Sequence, residues 1–241
     1  MMPLPMDARS SPRSLLRCAT LVVLPSLLLA GAAIAHTVAQ GDQDFVRNSG
    51  GVQIVSFIYL GAKHMVTGYD HLLFLAGVIF FLYRLKEVAL YVTLFAIGHS
   101  STLLLGVLTG MHVNPFLIDA IIGLSVVYKA LDNMDAFRTL FGWQPNAKLA
   151  VLVFGFFHGF GLATKLQDLN LARDGLVPNM LAFNVGVEIG QLLALSAILL
   201  VMNYWRRTAS FTRHAYCANV VLLTAGFVLT GLQLTGYAVG R

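Results

Sequence analysis

The chain has 241 residues, of which 57% are hydrophobic and only 11% are charged, and its mean hydropathy is +0.75. Soluble domains carry about 25% charged residues, so this chain has too little charge to cover a water-exposed surface. Several apolar runs reach the roughly 20 residues that a helix needs to cross a bilayer. The composition predicts an all-α integral membrane protein, and the net charge of +5 bears on topology rather than on nucleic-acid binding.

The first 35 residues have the layout of a cleavable signal peptide. Three arginines precede an apolar run, and the small residues Ala33 and Ala35 stand where a signal peptidase cleaves. An uncleaved first transmembrane helix is the alternative. Cleavage would make His36 the mature N-terminus, where its amine and imidazole together form a further candidate metal-binding group.

Residues 36–51 are polar and are expected to form an extracytoplasmic tail before a transmembrane domain at 52–241. The apolar segment 52–64 carries a weakly polar stripe at helical spacing. It is predicted to form one short interfacial or re-entrant helix rather than a span. A six-helix transmembrane bundle follows, with spans near 70–84, 87–109, 115–133, 148–167, 179–204 and 215–236.

Lysine and arginine are unevenly distributed over the segments between these spans, and cytoplasmic loops carry more of them than outer loops. With the mature N-terminus outside, the outer segments hold Arg47, Lys63, Lys165, Arg173 and Arg241. The inner segments hold Arg84, Lys86, Lys129, Arg138, Lys148, Arg206, Arg207 and Arg213. The bias favours six spans with both mature termini extracytoplasmic. The expected location is a bacterial cytoplasmic (inner) membrane.

Polar residues inside the apolar segments form several groups, and a charged side chain at mid-bilayer costs on the order of 3 kcal/mol. The first group is His64, Asp70 and His71. Imidazole nitrogen and carboxylate oxygen suit Ni²⁺, Co²⁺ and Zn²⁺. Either a continuous helix or a bend at Gly68 would bring His64 toward His71. The alternative is that Asp70 only caps a helix and that the histidines anchor at the interface.

Two further histidines are predicted to lie deep in spans. His99 is followed by Ser100 in the second span, and His158 lies within a GxxxG pair formed by Gly155 and Gly159. Such glycine pairs allow two helices to approach closely. Both histidines are candidate metal ligands, and a structural hydrogen bond between helices is the alternative for each.

A polar stripe is predicted on the fifth span. Asn184, Glu188 and Gln191 lie within about 60° of one another on a helix. Gly186 and Gly190 form a second GxxxG packing pair beside them. Glu188 is interpreted as a deeper ion site or a proton carrier, with Asn184 and Gln191 as supporting polar groups. A structural Glu–His pair is the alternative.

Three other charged residues are interpreted as structural. Lys129 and Asp132 are three residues apart near a span end and are expected to form a surface pair. Asp119 lies near the start of the third span, where a carboxylate suits the helix dipole.

The motifs resemble those of a known family of membrane proteins. "KHMVTGYDHLLFL" fits the pattern GxxHxxxGxDHLLFL found in one branch of the HupE/UreJ family of hydrogenase- and urease-associated membrane proteins. The stretches "FAIGHSSTLLL", "GLSVVYKALDN", "FGFFHGFGLA" and "FNVGVEIGQ" look like later motifs of that family, in the same order. The resemblance covers residues 61–191, and its specificity rests on the combination.

This resemblance implies a secondary permease for nickel that supplies metalloenzyme maturation. The family's HX5DH element, regarded as essential for transport, carries over to His64, Asp70 and His71. In another branch a proline directly follows the first histidine, and this chain has Met65 there.

The leading hypothesis is secondary transport of a divalent transition-metal cation into the cell, most readily nickel and otherwise cobalt. His64, Asp70 and His71 would form an outer entrance site, with His99, His158 and Glu188 as deeper stations. The ion is expected to be a transported substrate, with no permanently bound cofactor, no enzymatic activity and no nucleic-acid partner. The lipid bilayer is the surrounding partner, and a homo-oligomer is left open. The alternatives are an intramembrane zinc-dependent hydrolase and a non-transporting membrane metal-binding accessory protein.

Overall fold

The computed structural model describes Val46, residues 50–169 and residues 173–240. The predicted signal peptide, His36 and most of the predicted tail lie outside these residues. The described ranges contain helices and no strand. The helices are α1 (Ile54–Thr67), α2 (Tyr69–Ile79), α3 (Leu85–Thr109), α4 (Pro115–Asn133), α5 (Ala136–Phe141), α6 (Ala147–Gln167), α7 (Leu176–Arg206) and α8 (Ala209–Val239).

Local signals explain where several helices begin and end. Asn114 caps α4 by accepting a hydrogen bond from the backbone of Phe116, and Pro115 occupies the first helical position. Asn146 caps α6 in the same way. Gly110 ends α3 with φ of 69°, a left-handed conformation that suits glycine.

The first predicted span is wrong at its C-terminal end. Residues 70–84 were expected to be helical, but α2 ends at Ile79 and the chain turns before α3 begins. Phe80 packs against Phe211 and Trp205 instead of continuing the helix. Hydropathy cannot register this turn, because the turn residues are as apolar as the helix before them.

The architecture is that of a multi-pass membrane protein. Four helices, α3, α6, α7 and α8, are long and apolar enough to cross a bilayer. Large apolar side chains such as Leu193 and Leu200 are exposed on the outside of the bundle, where lipid would cover them. Helix α4 has 19 residues and carries Asp119, Lys129 and Asp132, all of which are buried.

Six of the helices pack in three pairs. Helix α1 runs parallel to the first half of α7, α3 runs parallel to α6, and α4 runs antiparallel to α8. Glycines lie at each contact. A Cβ on Gly186 would be 2.0 Å from the Ile58 carbonyl oxygen, and one on Gly159 would be 2.0 Å from the His99 carbonyl oxygen. Gly155 and Gly190 make similarly close contacts with Phe95 and Ala62. Both GxxxG pairs therefore lie where two helix backbones touch.

Helices α1 and α2 together run beside α7 over its whole length. At one end, which we call the upper end, the Gln53 backbone donates to Asn179 Oδ1 at 2.7 Å. At the opposite, lower end, the Arg206 guanidinium donates to the Ile79 and Phe80 carbonyls. The short helix predicted at 52–64 is present as α1; it packs against α7 within the bundle, and α2 continues in the same direction.

Candidate metal centre

Gly68 divides α1 from α2 and makes room for the centre. Its backbone is extended, with φ of −74° and ψ of 106°, which ends one helix and starts the next. A Cβ at this position would lie 2.8 Å from His71 Nδ1 and 3.1 Å from Asp70 Oδ1. Glycine is therefore required for space rather than for backbone freedom, since this φ is accessible to any residue.

Asp70 and His71 form a buried pair at the start of α2. Asp70 Oδ1 accepts hydrogen bonds from the His71 backbone at 2.8 Å and from ring Nδ1 at 2.9 Å. Gly68, and not Asp70, is the N-cap residue, and the Asp70 carboxylate accepts from a backbone N–H within the first turn of α2. Donation from Nδ1 places the ring lone pair on Nε2, and such carboxylate–imidazole pairs orient metal-binding histidines.

Ser125 of α4 orients His158 of α6. The Ser125 hydroxyl donates to the Ile122 carbonyl at 2.6 Å, so its oxygen is available to accept from His158 Nε2 at 3.2 Å. This arrangement assigns the ring proton to Nε2 and leaves the lone pair on Nδ1. Sequence reasoning missed Ser125, although it lies in "GLSVVYKALDN". A serine in an apolar helix usually bonds its own backbone, so the pattern alone does not distinguish it.

Four histidine rings from four helices converge around His71. The ring centroid of His71 lies 5.1 Å from that of His64, 5.8 Å from that of His99 and 4.9 Å from that of His158. His71, His99 and His158 are at most 2% exposed. The potential ligand atoms of His64, His71 and His99 lie within 4.8 Å of one another, as do those of Asp70, His71 and His158.

Five ring nitrogens of these histidines are buried and lack hydrogen-bond partners. They are His64 Nε2, His71 Nε2, both nitrogens of His99, and His158 Nδ1. An unsatisfied buried polar atom costs about 1–3 kcal/mol, so binding a cation or another partner at these nitrogens would be favourable. Imidazole–metal bonds are about 2.0–2.1 Å long, so two nitrogens on one ion are at most about 4.2 Å apart. A small inward movement of the rings would let either trio bind a divalent cation.

The centre lies at mid-depth rather than at the edge of the bundle. His99 and His158 are near the middle of α3 and α6, and both are close to His71. The expected division into an outer entrance site and separate deeper histidine stations is therefore wrong. The broken helix carries His64 and His71 inward to the level of the other two rings, a geometry that linear spacing does not reveal.

The predicted polar stripe on α7 divides between two faces. Asn184 and Gln191 are buried, and Gln191 donates to the Val92 carbonyl of α3 at 3.4 Å. Glu188 is exposed on the outside of α7, so its predicted place between packed helices is wrong. The three residues span an arc of about 60° around α7, and the boundary between the buried and the exposed face of the helix falls within this arc. Ser100 is half-buried and its hydroxyl has no hydrogen-bond partner.

Of the three charged residues interpreted as structural, Lys129 and Asp132 are not on the surface as expected, whereas Asp119 lies near the start of α4 as predicted. Lys129 and Asp132 are 4% and 2% exposed, so they form a buried ion pair rather than a surface pair. Asp119 pairs across helices with Lys165 of α6, its Oδ2 lying 2.8 Å from Nζ. Met65 is buried in the contact between α1 and α7 near Gly190.

Comparison with known proteins identifies a family but no characterised relative. The family profile described as HupE / UreJ protein matches residues 40–241. This range includes every residue of the centre and all the helices α1 to α8. No curated protein and no solved structure matches the chain.

Proposed function

Because the chain belongs to the HupE/UreJ family, we propose that it is a secondary transporter that carries a divalent transition-metal cation into the cell. Nickel is the first candidate and cobalt the second, and the ion would supply metalloenzyme maturation. One observation carries the proposal: His64, Asp70, His71, His99 and His158 meet at mid-depth with unpartnered ring nitrogens. The family profile supports a membrane role in nickel or cobalt supply.

The proposed topology has six crossings, the first of which is the broken helix formed by α1 and α2. Their 14 and 11 residues span about 38 Å at 1.5 Å per residue, enough for a hydrocarbon core of about 30 Å. Crossing directions then alternate along the chain, which agrees with the parallel and antiparallel pairs. The lower end faces the cytoplasm of a bacterial inner-membrane protein, and the mature termini face outside after cleavage of the signal peptide.

Basic residues support this orientation. At the lower end lie Arg84, Lys86, Arg138, Lys148, Arg206, Arg207 and Arg213, whereas the described upper end has Lys165 and Arg173. An excess of lysine and arginine marks the cytoplasmic side.

The chemistry of the centre suits an ion that must bind and leave again. Neutral imidazoles bind borderline cations without adding charge, and Asp70 offsets part of the ion's charge. His71 belongs to both trios of ligand atoms, so an ion that moves from His64 and His99 toward Asp70 and His158 stays next to the His71 ring. The ion is cargo in this scheme, and we propose no enzymatic step.

The decisive experiment measures metal flux into proteoliposomes for Ni²⁺, Co²⁺, Zn²⁺ and Mn²⁺. His71→Ala and Asp70→Asn should each lower nickel flux by about tenfold or more. The first removes the ligand that both trios share, and the second removes the carboxylate that bonds this ligand. His214→Ala and Glu188→Gln are matched controls on exposed residues and should retain flux. Wild-type flux in both His71→Ala and Asp70→Asn would refute the proposal.

The same preparation separates the alternatives. Nickel binding without flux would indicate a non-transporting accessory protein. One zinc ion per chain that resists mild chelation would indicate a zinc-dependent hydrolase, which keeps three protein ligands and an open position for water.

A further inference from the structure

A buried ion pair lies on α4 toward the lower end of the bundle. The Lys129 ammonium contacts Asp132 Oδ2, and Gln144 Nε2, in the segment after α5, donates to Asp132 Oδ1. The stem of Lys129 packs against Gly77 of α2, where a Cβ would lie 3.1 Å from Lys129 Cγ. The pair is therefore enclosed by α2, α4 and the segment that precedes α6.

A layer of aromatic rings separates this pair from the metal centre. Phe74, Phe95 and Phe154 each lie one helical turn below a histidine of the centre, on α2, α3 and α6 respectively. The rings of Phe74 and Phe95 lie 5.3 and 5.1 Å from the His158 ring, and Phe154 lies 6.0 Å from Phe74. Tyr128 follows, 5.2 Å from Phe154.

Oxygen atoms without partners lie beyond that layer. The Tyr128 hydroxyl and the Gln144 carbonyl oxygen are buried and make no hydrogen bond. Tyr128 and Asp132 are four residues apart on α4, so their side chains lie on the same face of the helix, one turn from each other. The lower side of the aromatic layer thus presents a carboxylate, a hydroxyl and an amide oxygen.

Stability alone is a poor reason for this ion pair. Two buried charges lose several kcal/mol of hydration each, and apolar replacements of such pairs are often neutral or stabilising. Ionisable residues within membrane segments more often mark the path of an ion. Within the part of the chain that the structure describes, Lys129 is the cation that forms a salt bridge with the Asp132 carboxylate.

We propose that Asp132, Tyr128 and Gln144 form a second cation site on the cytoplasmic side of the aromatic layer, and that the Lys129 ammonium occupies it between transport events. The inference rests on the proposed transport function. An arriving divalent cation would displace Lys129 from Asp132, and the returning ammonium would help to release the ion. Oxygen ligands hold Ni²⁺ less tightly than imidazoles do, so affinity falls in the direction of uptake.

The test counts nickel ions bound per chain by the purified full chain in detergent, by equilibrium dialysis and metal analysis. Wild-type protein should bind one ion, at the histidine centre, because Lys129 occupies the second site. Lys129→Met removes the ammonium and keeps the side-chain length, so the count should rise to two. Adding Asp132→Asn should return it to one. Lys148→Met, an exposed lysine at the same end, should leave it at one.

A count of one in folded Lys129→Met protein would overturn the inference. Should that variant fail to fold, Lys129→Leu repeats the measurement with an apolar side chain that cannot bond Asp132, and a count of one there is equally decisive. The two proposals fail separately. Wild-type protein that binds no nickel refutes the histidine centre, whereas Lys129→Met with His71→Ala should still bind one ion at the second site.

Discussion

Ser125 is not a candidate metal ligand, but it orients one, the His158 ring. Its hydroxyl oxygen accepts from His158 Nε2, so the opposite ring nitrogen presents its lone pair to the centre. Asp70 does the same for His71 through Nδ1. Together they give two of the four rings a defined tautomer, and this matters because only an unprotonated nitrogen can bind a cation.

Replacement of Ser125 should therefore weaken nickel binding without removing a ligand. We expect Ser125→Ala to lower nickel affinity by about 10–100-fold, the usual effect of losing a group that orients a metal ligand. The measurement is isothermal titration of the purified protein with nickel.

The control is Ser196→Ala on α7, an exposed serine that bonds only the Leu192 carbonyl of its own helix. It should bind nickel as the wild type does. If Ser125→Ala matched the wild type as well, the role assigned to Ser125 would be wrong.

Helix pairing positions the ligands at the scale of whole elements. His99 is on α3 and His158 on α6, and the two helices touch at Gly155 and Gly159. A Cβ on Gly159 would meet the His99 carbonyl at 2.0 Å, a separation that backbone atoms cannot tolerate. The glycines at this contact set the separation of α3 and α6, and with it the distance between the two histidines.

Gly159→Ala should push α3 and α6 apart, which should lower both the thermal midpoint and the nickel affinity. Gly231→Ala on α8 is the matched control, since a Cβ there meets nothing within 4 Å. Alanine in an open helical position is favoured by roughly 0.5–1 kcal/mol over glycine, so the control should melt at the same temperature or slightly higher. Equal melting temperatures for the two variants would contradict this explanation.

In the proposed topology, the broken helix formed by α1 and α2 is the first of six crossings. If α1 and α2 count as one crossing, the crossing directions alternate along the chain. The two helices of each packed pair then have the relative directions, parallel or antiparallel, that the structure shows. Four of the helices are long and apolar enough to cross by themselves, whereas α1, α2 and α4 are shorter or carry buried charges. The short elements are those that bear His64, Asp70, His71 and Ser125.

Fusions of alkaline phosphatase, which is active only outside the cytoplasm, test this topology. Fusions after Tyr83 and after Arg207 should be inactive, and a fusion after Met111 should be active. The reversed pattern would show that α1 and α2 do not form one crossing.

The sequence by itself determined the membrane class, the family and most helix limits. A low content of charged residues and apolar runs long enough to cross a bilayer can be recognised without knowing any tertiary contact. Caps such as Asn114 act within one helical turn, so they too can be recognised from local sequence. His64, Asp70, His71, His99 and His158 stood out for the same reason, since polar groups in apolar segments need a partner.

Only the tertiary structure decided which of these residues meet. Helical spacing reports a face but not what that face contacts, so Glu188 was grouped with buried neighbours although it is exposed. Lys129 and Asp132 looked like a surface pair because their spacing is local, whereas α2 and the segment after α5 bury them. The single centre also depends on contacts between residues distant in the chain: α3 lies against α6, and Gly68 turns α2 toward both.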